Sequence, residues 1–115
     1  MQFKLTDLHG PILGHLVGDI TASYPEMYEA LGRPNGRSDG HKVTTEWRLR
    51  GDDGSGFYVY DYKQTNLYHP AYPSLQEFRT SRLPYEWHIG GKSDPSELVS
   101  WLNEHLKAVR MPGVC

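Results

Sequence analysis

Residues 42–63 read KVTTEWRLR–GDDGSG–FYVYDYK, and this stretch decides the fold. In residues 42–50, Val43, Thr45, Trp47 and Leu49 alternate with Lys42, Thr44, Glu46, Arg48 and Arg50. A period of two with one apolar side describes a strand whose one face meets a core and whose other face meets water. Residues 51–56 contain three glycines and two aspartates, a turn composition, and residues 57–63 resume the alternation. The two runs therefore predict an antiparallel hairpin. Two registers are open: in one, Phe57 and Val59 continue the buried face and Tyr58, Tyr60 and Tyr62 line the opposite one, and in the other the faces are inverted. A slip of one residue would exchange those faces.

Toward the N-terminus, Pro25 suits a first helical position, Met27, Tyr28 and Leu31 form an apolar stripe, and Gly32 and Pro34 end it. A short helix over 25–31 follows. Residues 32–40, GRPNGRSDG, form a loop in which Arg33 and Arg37 are candidates to hold an anion, although no Walker pattern is present. Met1, Phe3 and Leu5 alternate like a short strand, and Ile12, Leu16 and Ile20 share helical spacing.

Toward the C-terminus, 64–84 is a long connection, within which Ser74 and Glu77 are spaced as a capping box for a turn or two of helix. Tyr85, Trp87 and Ile89 alternate in a third strand, with Trp87 in the core, His88 on the outer face and Gly90-Gly91 as its end. Asp94, Pro95 and Glu97 are then spaced as N-cap, N1 and N3 of a helix. Leu98, Trp101, Leu102, Leu106 and Val109 make its apolar face. The fold class is α+β: a small antiparallel sheet, a C-terminal helix and a short N-terminal helix on one face.

Length and composition set the remaining limits. A chain of 115 residues is the size of one domain, 1–115. No apolar run approaches the roughly 18 residues that span a bilayer. MQFKLTDLHG has no basic stretch followed by an apolar one, so no secretory leader is expected and a cytoplasmic setting is. The single cysteine, Cys115, excludes a disulfide framework or a cysteine zinc site within one chain. The 14 acidic residues outnumber the 12 basic ones, which argues against an extended nucleic-acid groove but leaves a small anionic ligand compatible.

The six histidines, His9, His15, His41, His69, His88 and His105, show no metal-ligand spacing, and no metal or cofactor is expected. Asp61 with Lys63, or Glu46 with His88, are acid–base candidates whose simpler reading is ion pairing on a solvated face. No nucleophile, base and oxyanion stabiliser combine, so an enzyme ranks below a binding protein.

The aromatic and basic residues are the stronger signal. Tyr58, Tyr60, Tyr62, Tyr68 and Tyr72 lie within fifteen residues of each other, with Arg48, Arg50, Lys63, Arg79 and Arg82 as basic neighbours. Tyrosine and arginine are enriched in binding hot spots, and both stack on or pair with anionic ligands. The candidate binding residues are Tyr58, Tyr60, Tyr62, Lys63, Tyr68, Arg79, Arg82 and His88.

Four segments together, LGRP (31–34), KVTTEW (42–47), YDYK (60–63) and EWHIGG (86–91), resemble a family of small proteins encoded by tailed bacteriophages. In that family a tryptophan-ending strand precedes a D-[YW]-K strand and a W-H-I-G-G turn. The corresponding residues are Glu46-Trp47, Asp61-Tyr62-Lys63 and Trp87 to Gly91, and the resemblance covers residues 25–107. It implies an accessory protein made in the cytoplasm of an infected bacterium, and it brings no active site with it. Inhibition of a host defence or nuclease component is the expected role by analogy. The partner is then a host protein, with a second copy of the chain also open; the alternative is a small anionic ligand such as a signalling nucleotide.

Overall fold

A computed structural model describes residues 1–6, 15–36, 40 and 42–110. Its elements are β1 (Phe3–Leu5), β2 (His15–Ala22), α1 (Tyr24–Leu31), β3 (Glu46–Gly51), β4 (Gly56–Asp61), α2 (Leu75–Thr80), β5 (Tyr85–Gly91) and α3 (Ser96–Arg110). The strands form a five-stranded antiparallel sheet in the order β1-β3-β4-β5-β2. The fold is α+β, with α3 as the C-terminal helix.

The structure decides between the two registers left open for the hairpin: Trp47 stands opposite Val59 and Leu49 opposite Phe57. All four are essentially inaccessible, which identifies the core side of the sheet. Ile20, Ala22, Trp87 and Ile89 extend that face, and Met27, Leu31, Phe78, Leu98, Leu102 and Leu106 bring the helices onto it. Burying a side chain of this size contributes about 1.5–3 kcal/mol, so this layer supplies the main driving force. Trp101 stays at the margin of the core, 5.5 Å from the Phe3 ring, with its indole N–H donating to Gln2 Oε1.

Two indoles fix where α1 sits. Trp47 and Trp87 meet edge to face at 5.3 Å. The Trp87 indole N–H donates to the Ala22 carbonyl just before α1, and the Trp47 N–H donates to the Gly32 carbonyl just after it. Ser23 and Glu26 close a reciprocal capping box at the start of α1, and Gly32 leaves the helix at φ 86°. Ser74 and Glu77 form the expected box at α2.

Several expectations are corrected. Ile12 lies outside the described residues, and Leu16 and Ile20 belong to a strand, not a helical turn. β2 is held by seven paired positions along β5 with a bulge between Leu16 and Gly18, so tertiary pairing overrides the helical spacing. β5 does not stop before its glycines: Gly90 and Gly91 pair with β4 on one side and β2 on the other. A Cβ on Gly91 would stand 3.0 Å from the Phe57 ring, so glycine permits the close approach. At α3, Asp94 accepts from the Ser96 amide and hydroxyl rather than sharing a box with Glu97, whose carboxylate instead faces the Met1 ammonium at 3.9 Å. The Asp94 carboxyl is held below its ordinary range by these Ser96 bonds.

The largest correction concerns Asp61. It points to the core side and is inaccessible, not paired with Lys63 on a wet face. Its Oδ1 accepts from the Thr44 and Thr45 amides at 2.9 and 2.7 Å, and its Oδ2 accepts from the Thr44 hydroxyl at 2.7 Å. The Thr44 and Thr45 amides are therefore taken by a side chain, while the carbonyls of Lys42 and Thr45 accept from the Lys63 and Asp61 amides, and β3 begins at Glu46 instead of Lys42. Thr44 and Glu46, expected in water, are buried. Burial raises the Asp61 carboxyl above its ordinary value, and the Thr44 and Thr45 hydrogen bonds oppose that shift only in part.

Two measurements follow from this carboxylate. Asp61→Ala strands two buried amides and is expected to cost about 2–4 kcal/mol in chemical denaturation, against about 1 kcal/mol for Asp61→Asn, whose carbonyl still accepts both. An acid whose folded value is raised makes the native state bind the extra proton. Its stabilisation is thus present in acid and lost as pH rises from the ordinary carboxylate value through the raised one. The stability difference between wild type and Asp61→Asn should move against wild type across that window. A pH-independent difference would show that desolvation does not govern Asp61.

Candidate functional site

The helices occupy one side of the sheet, and the candidate residues divide between its two sides. On the outer side the rows run Glu46, Tyr60, His88, Asp19 and, one step along, Arg48, Tyr58, Gly90, Leu16. Alternation from Trp47, Val59 and Trp87 dictates these positions.

Within this face an aromatic chain is assembled. The Tyr60 and His88 rings meet edge to face at 5.7 Å, and His88 stacks on Tyr62 at 5.2 Å. Lys63 Nζ lies 5.1 Å from the Tyr62 ring and 4.9 Å from the Tyr68 ring. Tyr68 in turn stacks on Tyr72 at 6.2 Å, and His69 lies 5.5 Å from Tyr72. An ammonium between two ring faces is a cation–π arrangement. Hydrogen bonding to Tyr68, then the proximity of Tyr62, holds the Lys63 ammonium above its ordinary pKa, so it is charged at neutral pH.

The backbone supports this chain. Lys63 adopts φ 59°, unique among the described non-glycine residues, and its amide donates to Lys42 O. That left-handed turn costs roughly 1–2 kcal/mol for a residue with a Cβ. It directs the chain out of β4 and sets Lys63 between Tyr62 and Tyr68. The connection beyond is a structured loop: buried Thr65 accepts from the Tyr68 amide, Asn66 N–H donates to Pro73 O, and Tyr72 N–H donates to His69 O.

Five of the eight candidates, Tyr60, Tyr62, Lys63, Tyr68 and His88, are thus brought together, and Tyr72 joins them at the exposed rim. Tyr58 faces the same way but is only 6% exposed, with the Arg48 guanidinium 5.4 Å above its ring, so it is packed rather than presented. Arg79 and Arg82 are not on this face. Arg79 is carried by α2 and Arg82 follows it, because buried Phe78 seats that helix in the core layer. Nor do Glu46 and His88 pair: Tyr60 stands between them, Glu46 holds Arg48 Nε at 2.5 Å, and His88 meets Glu86 at 3.3 Å.

Two clefts open beside the helices. The larger, about 750 Å³, lies between α1 and α3; Glu26, Glu29, Arg82, His105 and Arg110 line it, and Glu26 and Arg110 are ion-paired within it. Arg110 keeps the Glu26 carboxyl below its ordinary range. The smaller, about 300 Å³, is lined by Tyr24, Arg33, Pro34, Gly36, Thr44, Thr45, Glu46 and Arg79. Arg33, one of the two arginines that the sequence offers as anion ligands, thus lines a cleft; the other, Arg37, lies outside the described residues, as do His9, His41 and Cys115.

Among the described residues no group of three or more His, Cys, Asp and Glu side chains is placed to hold a metal. No helix among them is long and apolar enough to cross a membrane. No protein-family model matches the chain, and no curated protein matches it either.

Burial, then the proximity of Tyr62 and Glu46, pushes the Tyr60 phenol above its ordinary range, and burial does the same to Tyr24. Ultraviolet titration of the tyrosines should show a late-ionising component that Tyr60→Phe and Tyr24→Phe each reduce. An unchanged late component in both variants would contradict the packing of these two rings.

Proposed function

We propose that the chain is a small accessory binding protein that acts by occupancy, and that a protein partner docks on the face formed by Tyr60, His88, Tyr62, Lys63, Tyr68 and Tyr72. The carrying observation is the placement of these side chains outside the core layer, in one chain of ring contacts on the side opposite the helices. Tyrosines contribute large rigid contact area with a polar tip, and clusters of them around a cation have the composition of a binding hot spot. The fixed backbone of the 63–73 loop lowers the ordering cost on association.

The resemblance to tailed-bacteriophage proteins supports the setting: the cytoplasm of an infected bacterium, with a host defence or nuclease component as the partner. Catalysis ranks below binding because the sequence carries no motif that joins a nucleophile, a base and a stabiliser. The acidic balance of 14 against 12 favours a protein surface over a nucleic-acid groove.

A photo-crosslinking residue at exposed Tyr72 tests the reading in a host-bacterium lysate. One discrete protein product is expected. Tyr62→Ala with Tyr68→Ala should reduce it at least tenfold, on the order of a hot-spot loss, with the melting temperature largely kept. Arg79→Ala should leave the yield unchanged. Full capture by the double tyrosine variant would remove this face as the docking surface.

A further inference from the structure

The 300 Å³ cleft is assembled by side chains that the aromatic face does not use. One wall is the loop after α1. That loop is pinned on both flanks of Arg33: the Gly32 carbonyl accepts from Trp47 Nε1, and Asn35 bonds the backbone of Arg48 through both its amide nitrogen and its oxygen. Asn35 also donates to Thr6 O, and Gly36 N–H donates to Glu46 O at 2.8 Å. A Cβ at Gly36 would collide with the Glu46 side chain, so glycine lets the loop lie this close. The opposite wall is α2, anchored by inaccessible Phe78, which presents Arg79. Thr44 and Thr45, held by Asp61, line the cleft beside Tyr24.

The charge count gives the ligand class. Glu46 is buried and paired with Arg48 at 2.5 Å, and the Asp61 carboxyl accepts three hydrogen bonds from Thr44 and Thr45 and does not line the cleft. Arg33 and Arg79 have no hydrogen-bond or ion-pair partner among the described residues. Two forked guanidiniums facing one polar cleft match a tetrahedral dianion, which accepts several parallel hydrogen bonds. The volume lies at the lower end of small-ligand sites, room for a phosphate group with a small organic body.

We propose that this cleft binds the phosphate of a small phosphomonoester, with Arg33 and Arg79 as the two phosphate ligands and the Tyr24 phenol as a hydrogen-bond donor beside them. The site shares none of its lining residues with the protein-docking face, although Glu46 borders both, standing opposite Tyr60 in the sheet.

Titration of the full chain with inorganic phosphate and with adenosine 5′-monophosphate, followed by two-dimensional NMR at constant ionic strength, tests it. Saturable shifts are expected at the amides of Arg33, Gly36, Thr44 and Thr45 and at the guanidinium Nε–H groups of Arg33 and Arg79. Arg33→Gln and Arg79→Gln should each weaken binding by about tenfold, and together abolish it. Both positions are exposed, so the variants should fold as wild type does. Arg82→Gln, in the other cleft, should leave affinity unchanged. Tighter binding of the nucleotide than of phosphate would show that the organic body also contacts the cleft. Equal binding of adenosine without phosphate overturns the proposal, as does retained affinity in the Arg33/Arg79 double variant or the lack of a saturable response to either phosphate compound.

Discussion

The packing of Trp47 against Trp87 is the contact on which the other layers depend. Each indole lies on the core side of a different strand, β3 and β5, and the pair covers the middle of the sheet. A buried indole needs an acceptor for its N–H. Here the acceptors are the carbonyls that flank α1, Ala22 before it and Gly32 after it. One aromatic pair thus sets the position of a helix at both ends. It also sets Tyr24, whose ring lies 6.0 Å from Trp47 and 6.1 Å from Trp87, and Phe78, 5.5 Å from Trp87. The location of α2 and of Arg79 follows from that cluster, as does the approach of the Arg33 loop through Gly32.

Much of this was legible because local and tertiary preferences agree. The 42–63 hairpin, the capping box of α2 and the apolar stripe of α3 are each stated by residue type and spacing alone, and in each case the folded structure keeps the same arrangement. Where they disagree, tertiary contacts prevail. Leu16 and Ile20 have helical spacing, but β5 offers an edge to pair with. Gly90 and Gly91 have the composition of a turn, but their lack of side chains suits a strand packed against Phe57. Asp61 reads as a surface carboxylate because pattern alone cannot show that Thr44 and Thr45 will turn their amides toward it.

The candidate surface divides along the same line. Tyr60, Tyr62 and His88 are placed by strand alternation, which a sequence states directly; Tyr68 and Lys63 reach them through the left-handed turn at Lys63, which a sequence rarely announces. Arg79 and Arg82 were grouped with the tyrosines by proximity along the chain. The signal against that grouping is Phe78: a capped helix with one large apolar residue must turn it to the core, and its arginines then follow the helical layer.

Asp61 connects the two sides of the sheet. As the first residue of the Asp61-Tyr62-Lys63 motif, it faces inward and fixes Thr44 and Thr45, while its neighbours face outward or leave the strand to build the aromatic chain. Its carboxylate costs desolvation, which the threonine hydrogen bonds only partly offset, yet an apolar residue in its place would leave the Thr44 and Thr45 amides without an acceptor. What that carboxylate provides is geometry. It takes the Thr44 and Thr45 amides just before β3, and so fixes two of the residues that line the polar cleft beside α2. The same three-residue stretch therefore contributes to the cleft beside α2 and to the aromatic surface. That division follows from strand alternation at Asp61 and the reversal of backbone hand two residues later.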